Sequence, residues 1–273
     1  MKLNSQQLAQ FERDGYVFLP NCFGEEEMAL LRDEAERIYR SDREEVWREK
    51  TGAPRTAFAA HLYNKGFGLL GADPRLIEPV AQFFGEPVYI HQFKINAKAA
   101  FEGDVWQWHQ DYGTWARDDG MPEARAMNIA VFLDEVMAIN GPLMLIPKSH
   151  THGVLEAGHD LETTSYPLWT LDKETVTRLV EQGGIVAPTG KAGSVLMFHG
   201  NLVHASPPNI TPYPRKIVYL TLCAVSNHIT RFARPAFIAH RDFEPIVPVK
   251  ADALAKLAAQ RRAAGVGSGA PSP

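Results

Sequence analysis

The chain has 273 residues, of which 45% are hydrophobic and 22% are charged, the composition of an ordinary soluble globular protein. Its 28 basic and 32 acidic residues give a net charge of −4. This balance excludes a protein that binds nucleic acid or a membrane surface through excess positive charge. We expect a small-molecule substrate, no nucleic-acid or membrane partner, and a monomer or homodimer.

The length fits one large domain, which we expect over residues 1–250, followed by a short helix and a disordered tail over residues 251–273. No signal peptide precedes the first polar helix pattern, and no run of ~18 apolar residues indicates a membrane span. The two cysteines, Cys22 and Cys223, are far apart and follow no ligand spacing. These features predict a cytoplasmic protein whose cysteines are buried or inert.

The first third of the chain is mainly helical in its pattern. In chain order it predicts a helix that begins at Asn4 or Ser5 and ends near Gly15, a short strand over residues 16–19, and helices over residues 25–40 and 74–84. Residues 43–60 are polar and contain Gly52 and Pro54. We expect them to form a mobile loop over a site.

The pattern changes to short apolar runs after Pro87. Runs typical of strands cover residues 88–90, 94–96, 128–133, 143–147, 194–198 and 216–222, with Gly, Pro and Asn between them. Residues 150–184 form a long insertion with one helix near 173–181, and residues 265–271 have the composition of a disordered tail. Many short strands after a set of helices predict a mainly β fold with flanking helices, either a β-sandwich or a jelly roll.

The sequence Trp108-His109-Gln110-Asp111 carries the most informative chemistry. His109 and Asp111 are two residues apart and project to the same side if they lie on an extended segment. With one distant histidine they form the 2-His-1-carboxylate set that holds ferrous iron and leaves other coordination positions open. A lone His-x-Asp pair is common on solvated loops. Its aromatic neighbours favour a pocket: Trp106, Trp108, Tyr112 and Trp115.

Two histidines follow the predicted strand over residues 194–198, and we favour His204 over His199 as the third ligand. Arg215 precedes the next strong strand, so His204 at the end of one strand and Arg215 at the start of its neighbour could face one cavity. A guanidinium there could bind a carboxylate through two hydrogen bonds. We expect His199 to hydrogen-bond or pack nearby.

Several longer stretches extend this pattern across the chain. They cover residues 91–96, 108–115, 119–122, 140–150 and 209–215. In these stretches the chain resembles the phytanoyl-CoA dioxygenase-like Fe(II)/2-oxoglutarate-dependent oxygenases, and within that family the ectoine hydroxylases. The resemblance runs from Asp14 to Phe243 and implies a double-stranded β-helix, the jelly-roll core of cupin-like proteins.

The resemblance also implies a role for individual residues. Iron would be bound by His109, Asp111 and His204, and O2 would be the second co-substrate. The keto acid of 2-oxoglutarate would chelate the iron, and its far carboxylate would bind Arg215 and Ser206. Further contacts to 2-oxoglutarate are expected from Lys94, Asn96 and Gln107. Substrate contacts are expected from Gln92, Trp115 and Tyr219.

Two departures from the ectoine hydroxylases concern the site itself. Gln110 stands between the ligands where those enzymes have Ser, and Tyr219 stands where they have a substrate-facing Phe. The substrate is therefore left open between ectoine, another amino-acid derivative and an aminophosphonate.

Three functions are compatible with the sequence. The first is hydroxylation of an unactivated C–H bond of a small polar or zwitterionic metabolite, with release of succinate and CO2. The carboxylate of Asp111 favours hydroxylation over halogenation, since related halogenases leave that position to chloride. The second function is a cupin-like hydrolase or isomerase that uses Zn or Mn at the same three ligands and gives Arg215 no clear role. The third is a non-catalytic binding module, which would have no use for an open iron site.

Overall fold

The computed structural model describes residues 1–162 and 167–267. The α-helices are α1 (Ser5–Asp14), α2 (Glu25–Tyr39), α3 (Ala60–Tyr63), α4 (Lys65–Gly71), α5 (Pro74–Phe84), α6 (Asp111–Thr114), α7 (Lys173–Gly183) and α8 (Ala253–Gly267). A π-helical turn covers Trp115–Asp119, and 3-10 turns cover Ser149–His152 and Val225–Asn227. None of the helices in these described ranges combines the length and apolar character that crossing a membrane requires.

Twelve strands are present in the described residues. They are β1 (Tyr16–Leu19), β2 (Val46–Arg48), β3 (Pro54–Phe58), β4 (Val88–Lys98), β5 (Trp106–His109), β6 (Ala126–Phe132), β7 (Met144–Leu145), β8 (Gly158–Asp160), β9 (Leu168–Thr170), β10 (Val195–His199), β11 (His204–Ser206) and β12 (Arg215–Ala224). A seven-stranded antiparallel sheet has the order β1-β10-β6-β12-β4-β3-β2, and a three-stranded one has the order β5-β11-β7.

The two faces of the large sheet bury different sets of side chains, because successive residues of a strand point to opposite sides. One face packs on the helices, where Ile129 and Leu220 meet Met28 and Phe67 in the largest apolar cluster. The other face turns towards the small sheet, and there Ala130, Leu196, Ile217 and Tyr219 pack with Leu145 of β7. This arrangement is the predicted jelly-roll core with flanking helices.

Several local predictions are confirmed at these positions. Helix α1 begins after Asn4, whose side chain and that of Gln7 cap each other's backbone, and it ends at Gly15 in the left-handed region, φ +80°. Strand β1 and helices α2 and α5 lie where the periodicity places them.

Other local predictions are wrong. Residues 43–60 are not a loop over a site, since strands β2 and β3 form a hairpin that extends the edge of the large sheet. The two runs over residues 88–96 form one strand, β4, which bulges opposite the step from Thr221 to Leu222. The insertion contains an unexpected hairpin, β8–β9.

The C-terminal helix α8 joins the main apolar cluster through Leu254 and Leu257. It continues to Gly267, so residues 265–267 of the predicted tail are helical, and residues 268–273 lie outside the described part. The domain boundary at residue 250 stays a prediction.

Candidate active site

The two histidines of the predicted iron site face each other across paired strands. His109 ends β5 and His204 begins β11, and the two residues are register partners in the small sheet. Their rings are 4.1 Å apart between centroids. Asp111 follows as the first residue of α6, after Gln110 in extended conformation at the helix N-cap. A strand-to-helix junction thus brings His109 and Asp111 to one side, as the spacing predicts.

The three side chains form a compact ligand set. One ligand atom from each residue lies within 4.8 Å of the other two, and all three residues are buried. Nε2 of His109 lies 3.6 Å from Oδ1 of Asp111, and Nε2 of His204 lies 3.4 Å from Oδ2. Two imidazole nitrogens and a carboxylate are ligands that suit Fe(II).

Backbone carbonyl groups orient both rings. Nδ1 of His109 contacts the carbonyl oxygen of Gln107 at 2.6 Å, and Nδ1 of His204 contacts that of Leu202 at 2.9 Å. A carbonyl oxygen only accepts, so each Nδ1 carries the proton and each Nε2 keeps its lone pair. Burial lowers the pKa of His204 to about 3, with a further contribution from His109, which keeps that ring neutral.

The carboxylate of Asp111 is ionised. Burial alone would raise its pKa, but the positive charge of Lys94 and the close contacts with the rings of His204 and His109 outweigh burial. They hold the pKa of Asp111 well below its usual range. A buried carboxylate that stays charged beside two imidazole Nε2 atoms is ready to bind a divalent cation.

A small cavity lies beside this ligand set. It is lined by Lys94, Asn96, Trp106, His109, Asp111, Leu143, His204, Ser206 and Tyr219. Seven of the residues singled out in the sequence are therefore brought together. Six of the seven come from the two sheets, with Lys94, Asn96 and Tyr219 on β4 and β12, and His109, His204 and Ser206 on β5 and β11. Asp111 begins α6.

Arg215 begins β12, in the large sheet, whereas His204 begins β11, in the small one. The expectation that they flank neighbouring strands is therefore wrong, and the two sheets face each other instead. Arg215 is 1% exposed, and burial lowers the pKa of its guanidinium. Its Nε and Nη1 atoms have no hydrogen-bond partner among the described residues. Such buried, unpaired donors are costly unless a ligand satisfies them.

Arg215 and three other predicted residues lie outside the cavity lining. Gln107 lines a separate depression beside Trp108, although its carbonyl oxygen holds the ring of His109. Gln92 is buried on β4 opposite Thr221. Trp115 is 1% exposed and packs edge-on against His91, with 5.3 Å between ring centroids. Their assigned contacts stay predictions.

Comparison with known proteins places this site in a family. The sequence matches the phytanoyl-CoA dioxygenase (PhyH) family over residues 11–217. The chain belongs to the phytanoyl-CoA dioxygenase family. The predicted family, jelly-roll fold and dioxygenase class are therefore confirmed.

Two known proteins resemble the chain over most of their length. An ectoine dioxygenase of Bordetella bronchiseptica is 37% identical over 266 residues, which cover 90% of this chain and 86% of the relative. An L-proline trans-4-hydroxylase of Streptomyces griseoviridis is 35% identical over 256 residues, which cover 90% of this chain and 96% of the relative.

A solved structure agrees with these relatives. The crystal structure of EctD from S. alaskensis with 2-oxoglutarate and 5-hydroxyectoine superimposes with a TM-score of 0.80 at 36% identity, and the match covers 91% of this chain and 87% of that one. A second structure of the same protein holds bound Fe and gives a TM-score of 0.79.

Sequence reasoning missed the residues that support the ligands of this oxygenase site. Asn128 donates from Nδ2 to Oδ2 of Asp111 at 2.7 Å, and Thr221 donates to Oδ1 of Asn128 at 2.7 Å. The available signal was a polar residue in each of two strongly apolar strands. His199 lies away from the ligand set, where it accepts from the backbone of Asn201 and packs against His150.

Proposed function

We propose that this protein is an Fe(II)- and 2-oxoglutarate-dependent dioxygenase that hydroxylates an unactivated C–H bond of a small zwitterionic, ectoine-like metabolite. One observation carries the proposal. The buried ligand set of His109, Asp111 and His204 lies between the two facing sheets, and Arg215 on the large sheet has two guanidinium atoms, Nε and Nη1, without a hydrogen-bond partner among the described residues. A non-redox metal enzyme needs the first feature and has no use for the second.

The three ligands fit ferrous iron. Two Nε2 lone pairs and one carboxylate oxygen point to a common centre, and three protein ligands leave coordination positions for a co-substrate. When bound, iron and 2-oxoglutarate would activate O2 and supply the oxidant, with succinate and CO2 as co-products. The protein contributes the orientation of the ligands and a site sheltered from water.

The surroundings of Arg215 fit the far carboxylate of 2-oxoglutarate. A guanidinium presents donors in a planar fork that matches a carboxylate, and the unpaired atoms of Arg215 are parts of that fork. Ser206 and Asn96 lie in the cavity wall and add polar groups, and Lys94 adds a positive charge. Gln107 is the weakest of the proposed contacts, because its side chain lies outside the wall.

The substrate proposal rests on the relatives. Ectoine and L-proline, the compounds in the relatives' names, are both small cyclic molecules with a carboxylate and a ring nitrogen. Gln92 and Trp115 are the proposed substrate contacts. Both are buried beside the ligand-bearing interior rather than in the cavity wall, so substrate binding would require Trp115 or its neighbours to move.

A turnover assay tests this proposal. Purified protein with Fe(II), ascorbate and 2-oxoglutarate is given a panel of cyclic amino acids that includes ectoine and L-proline, and succinate and the hydroxylated product are measured. We expect coupled succinate release with one class of substrate, and its loss in Asp111→Ala. Absence of 2-oxoglutarate turnover with every compound would contradict the proposal. Anaerobic turnover without 2-oxoglutarate would favour the hydrolase or isomerase.

A further inference from the structure

Tyr219 and Arg215 lie on the same face of β12, four residues apart. At a rise of 3.3 Å per residue their Cα atoms are about 13 Å apart, so the side chains meet only if they lean towards each other along the strand. They do approach each other, because the polar ends of Arg215 and Tyr219 are close enough for each to affect the pKa of the other. The hydroxyl of Tyr219 therefore points along β12 towards Arg215.

The interior between the two sheets has an Arg215 end and an Asp111 end, and the hydroxyl of Tyr219 points towards the Arg215 end. Ile217 lies midway between Arg215 and Tyr219 and pairs with Asn96 on β4. The contact between Arg215 and Tyr219 therefore lies near Asn96, which is part of the cavity wall. Thr221 lies on the other side of Tyr219, and it is linked through Asn128 to the ligand Asp111. The hydroxyl of Tyr219 is thus turned away from the Asp111 end.

The hydroxyl of Tyr219 has its O–H group available to donate a further hydrogen bond. A guanidinium only donates, so in its contact with Arg215 the oxygen of Tyr219 accepts, and its O–H remains available. Tyr219 is 6% exposed, and burial raises its pKa, which keeps the hydroxyl protonated at neutral pH. The O–H and the unpaired Nε and Nη1 of Arg215 are donors at one end of the interior.

We propose that the hydroxyl of Tyr219 binds the far carboxylate of 2-oxoglutarate together with Arg215, and that it does not contact the substrate. This inference rests on the proposed function, because it assigns Tyr219 to the co-substrate of that reaction. The aromatic ring still faces the cavity, where the ammonium of Lys94 lies 5.7 Å from its centroid. A substrate therefore meets the ring of Tyr219, much as it would meet a phenylalanine.

The variant Tyr219→Phe removes only the hydroxyl. Two keto acids of equal chain length show whether the hydroxyl binds the far carboxylate. They are 2-oxoglutarate and 2-oxopentanoate, which has a methyl group in place of that carboxylate. Dissociation constants are measured anaerobically with Fe(II), without substrate, from the charge-transfer absorption of the bound keto acid. We expect Tyr219→Phe to weaken 2-oxoglutarate about tenfold and to leave 2-oxopentanoate within twofold, since hydrogen bonds to charged groups are strong.

Two further readouts decide the outcome. The KM for the substrate found in the panel should change less than twofold in Tyr219→Phe, and Arg215→Lys should lose 2-oxoglutarate affinity. An unchanged preference for 2-oxoglutarate over 2-oxopentanoate in Tyr219→Phe, with a raised substrate KM, would overturn the inference alone. Wild-type protein that binds neither keto acid would overturn the proposed function as well.

Discussion

Asn128 holds one oxygen of Asp111 through a hydrogen bond of 2.7 Å from Nδ2 to Oδ2. Its own amide oxygen accepts from Thr221 at 2.7 Å, so the amide cannot rotate without losing both partners. The three residues belong to α6, β6 and β12. The large sheet thereby fixes the carboxylate of a ligand that lies on a short helix next to the small sheet.

Replacement of Asn128 should therefore weaken iron binding. In Asn128→Ala the carboxylate of Asp111 loses its orienting donor, and we expect Fe(II) affinity to fall about 10- to 100-fold. Anaerobic titration with Fe(II), or with Co(II) as a spectroscopic substitute, measures the change. Thr221→Val is the matched control, because it leaves the Asn128–Asp111 bond in place and should have a smaller effect. Equal affinity in Asn128→Ala and wild type would contradict this role.

Gln110 connects the ligand pair to two other segments of the chain. Its Nε2 donates to the carbonyl oxygens of Gly153 at 2.8 Å and Asn201 at 2.7 Å, and its Oε1 accepts from the backbone of Leu155 at 2.8 Å. The residue is 4% exposed. The side chain between His109 and Asp111 is thus held by hydrogen bonds to three backbone groups.

We expect Gln110→Met to lower the free energy of unfolding by about 2–4 kcal/mol, because similar volume is kept while three backbone groups lose their partners. Chemical denaturation of the metal-free protein measures this loss. Gln6→Met, at an exposed position of α1, is the control and should change stability by less than about 0.5 kcal/mol. A similar small effect of Gln110→Met would show that the three hydrogen bonds contribute little.

The sequence predicted the parts of the fold whose apolar residues repeat regularly. Strands β6, β10 and β12 are long apolar runs, because they are buried on both faces. Strands β5 and β11 were not predicted as strands, because they are four and three residues long and carry the polar ligands. The hairpin of β2 and β3 lies at a sheet edge, where polar side chains are tolerated and the pattern is weak.

The ligand set was predictable because His-x-Asp spacing is local and the choice of His204 followed from its position before Arg215. The supporting contacts were not predictable in the same way. Gln110 reaches across 91 residues to Asn201, and Asn128 across 17 to Asp111. Such contacts depend on how the two sheets face each other, which no local pattern records.

Buried histidines outside the metal site make stability depend on pH. Burial, with the charge of His91, lowers the pKa of His240 to about 4, and burial, with the charge of His240, lowers that of His61 to about 3. Their rings pack together with 4.8 Å between centroids. In the unfolded chain both pKa values return to about 6.5. As the pH falls below 6.5, the unfolded state therefore binds protons that the folded state does not bind.

Stability should therefore be complete above pH 6.5 and decrease as the pH falls towards 4. Each histidine contributes a slope of up to about 1.4 kcal/mol per pH unit in this window. Denaturation between pH 7 and pH 5 measures the slope before carboxylates of ordinary pKa titrate. We expect His240→Gln to reduce the slope, whereas His152→Gln, at an exposed position, should leave it unchanged. A slope that is the same in wild type and His240→Gln would refute the assignment.

Position 141 requires glycine for two reasons, its left-handed backbone conformation and the close approach of atoms from Lys98 and Pro207. Its φ is +79°, and a Cβ atom there would lie 2.5 Å from Cδ of Lys98 and 2.9 Å from the carbonyl oxygen of Pro207. Lys98 is 1% exposed and pairs with Arg215 across β4 and β12, so it has little room to move. The contact therefore couples the turn at Gly141 to the Arg215 end of the interior.

We expect Gly141→Ala to lower the free energy of unfolding by about 2–4 kcal/mol, from the left-handed backbone and the clash together. Gly52→Ala is the matched control, since Gly52 has φ +90° but no atom within 4 Å of the added Cβ. It should lose only the conformational part, about 1 kcal/mol. Displacement of Lys98 should also weaken 2-oxoglutarate binding in Gly141→Ala but not in Gly52→Ala. Equal losses of stability in the two variants would mean that the clash is relieved by movement of Lys98.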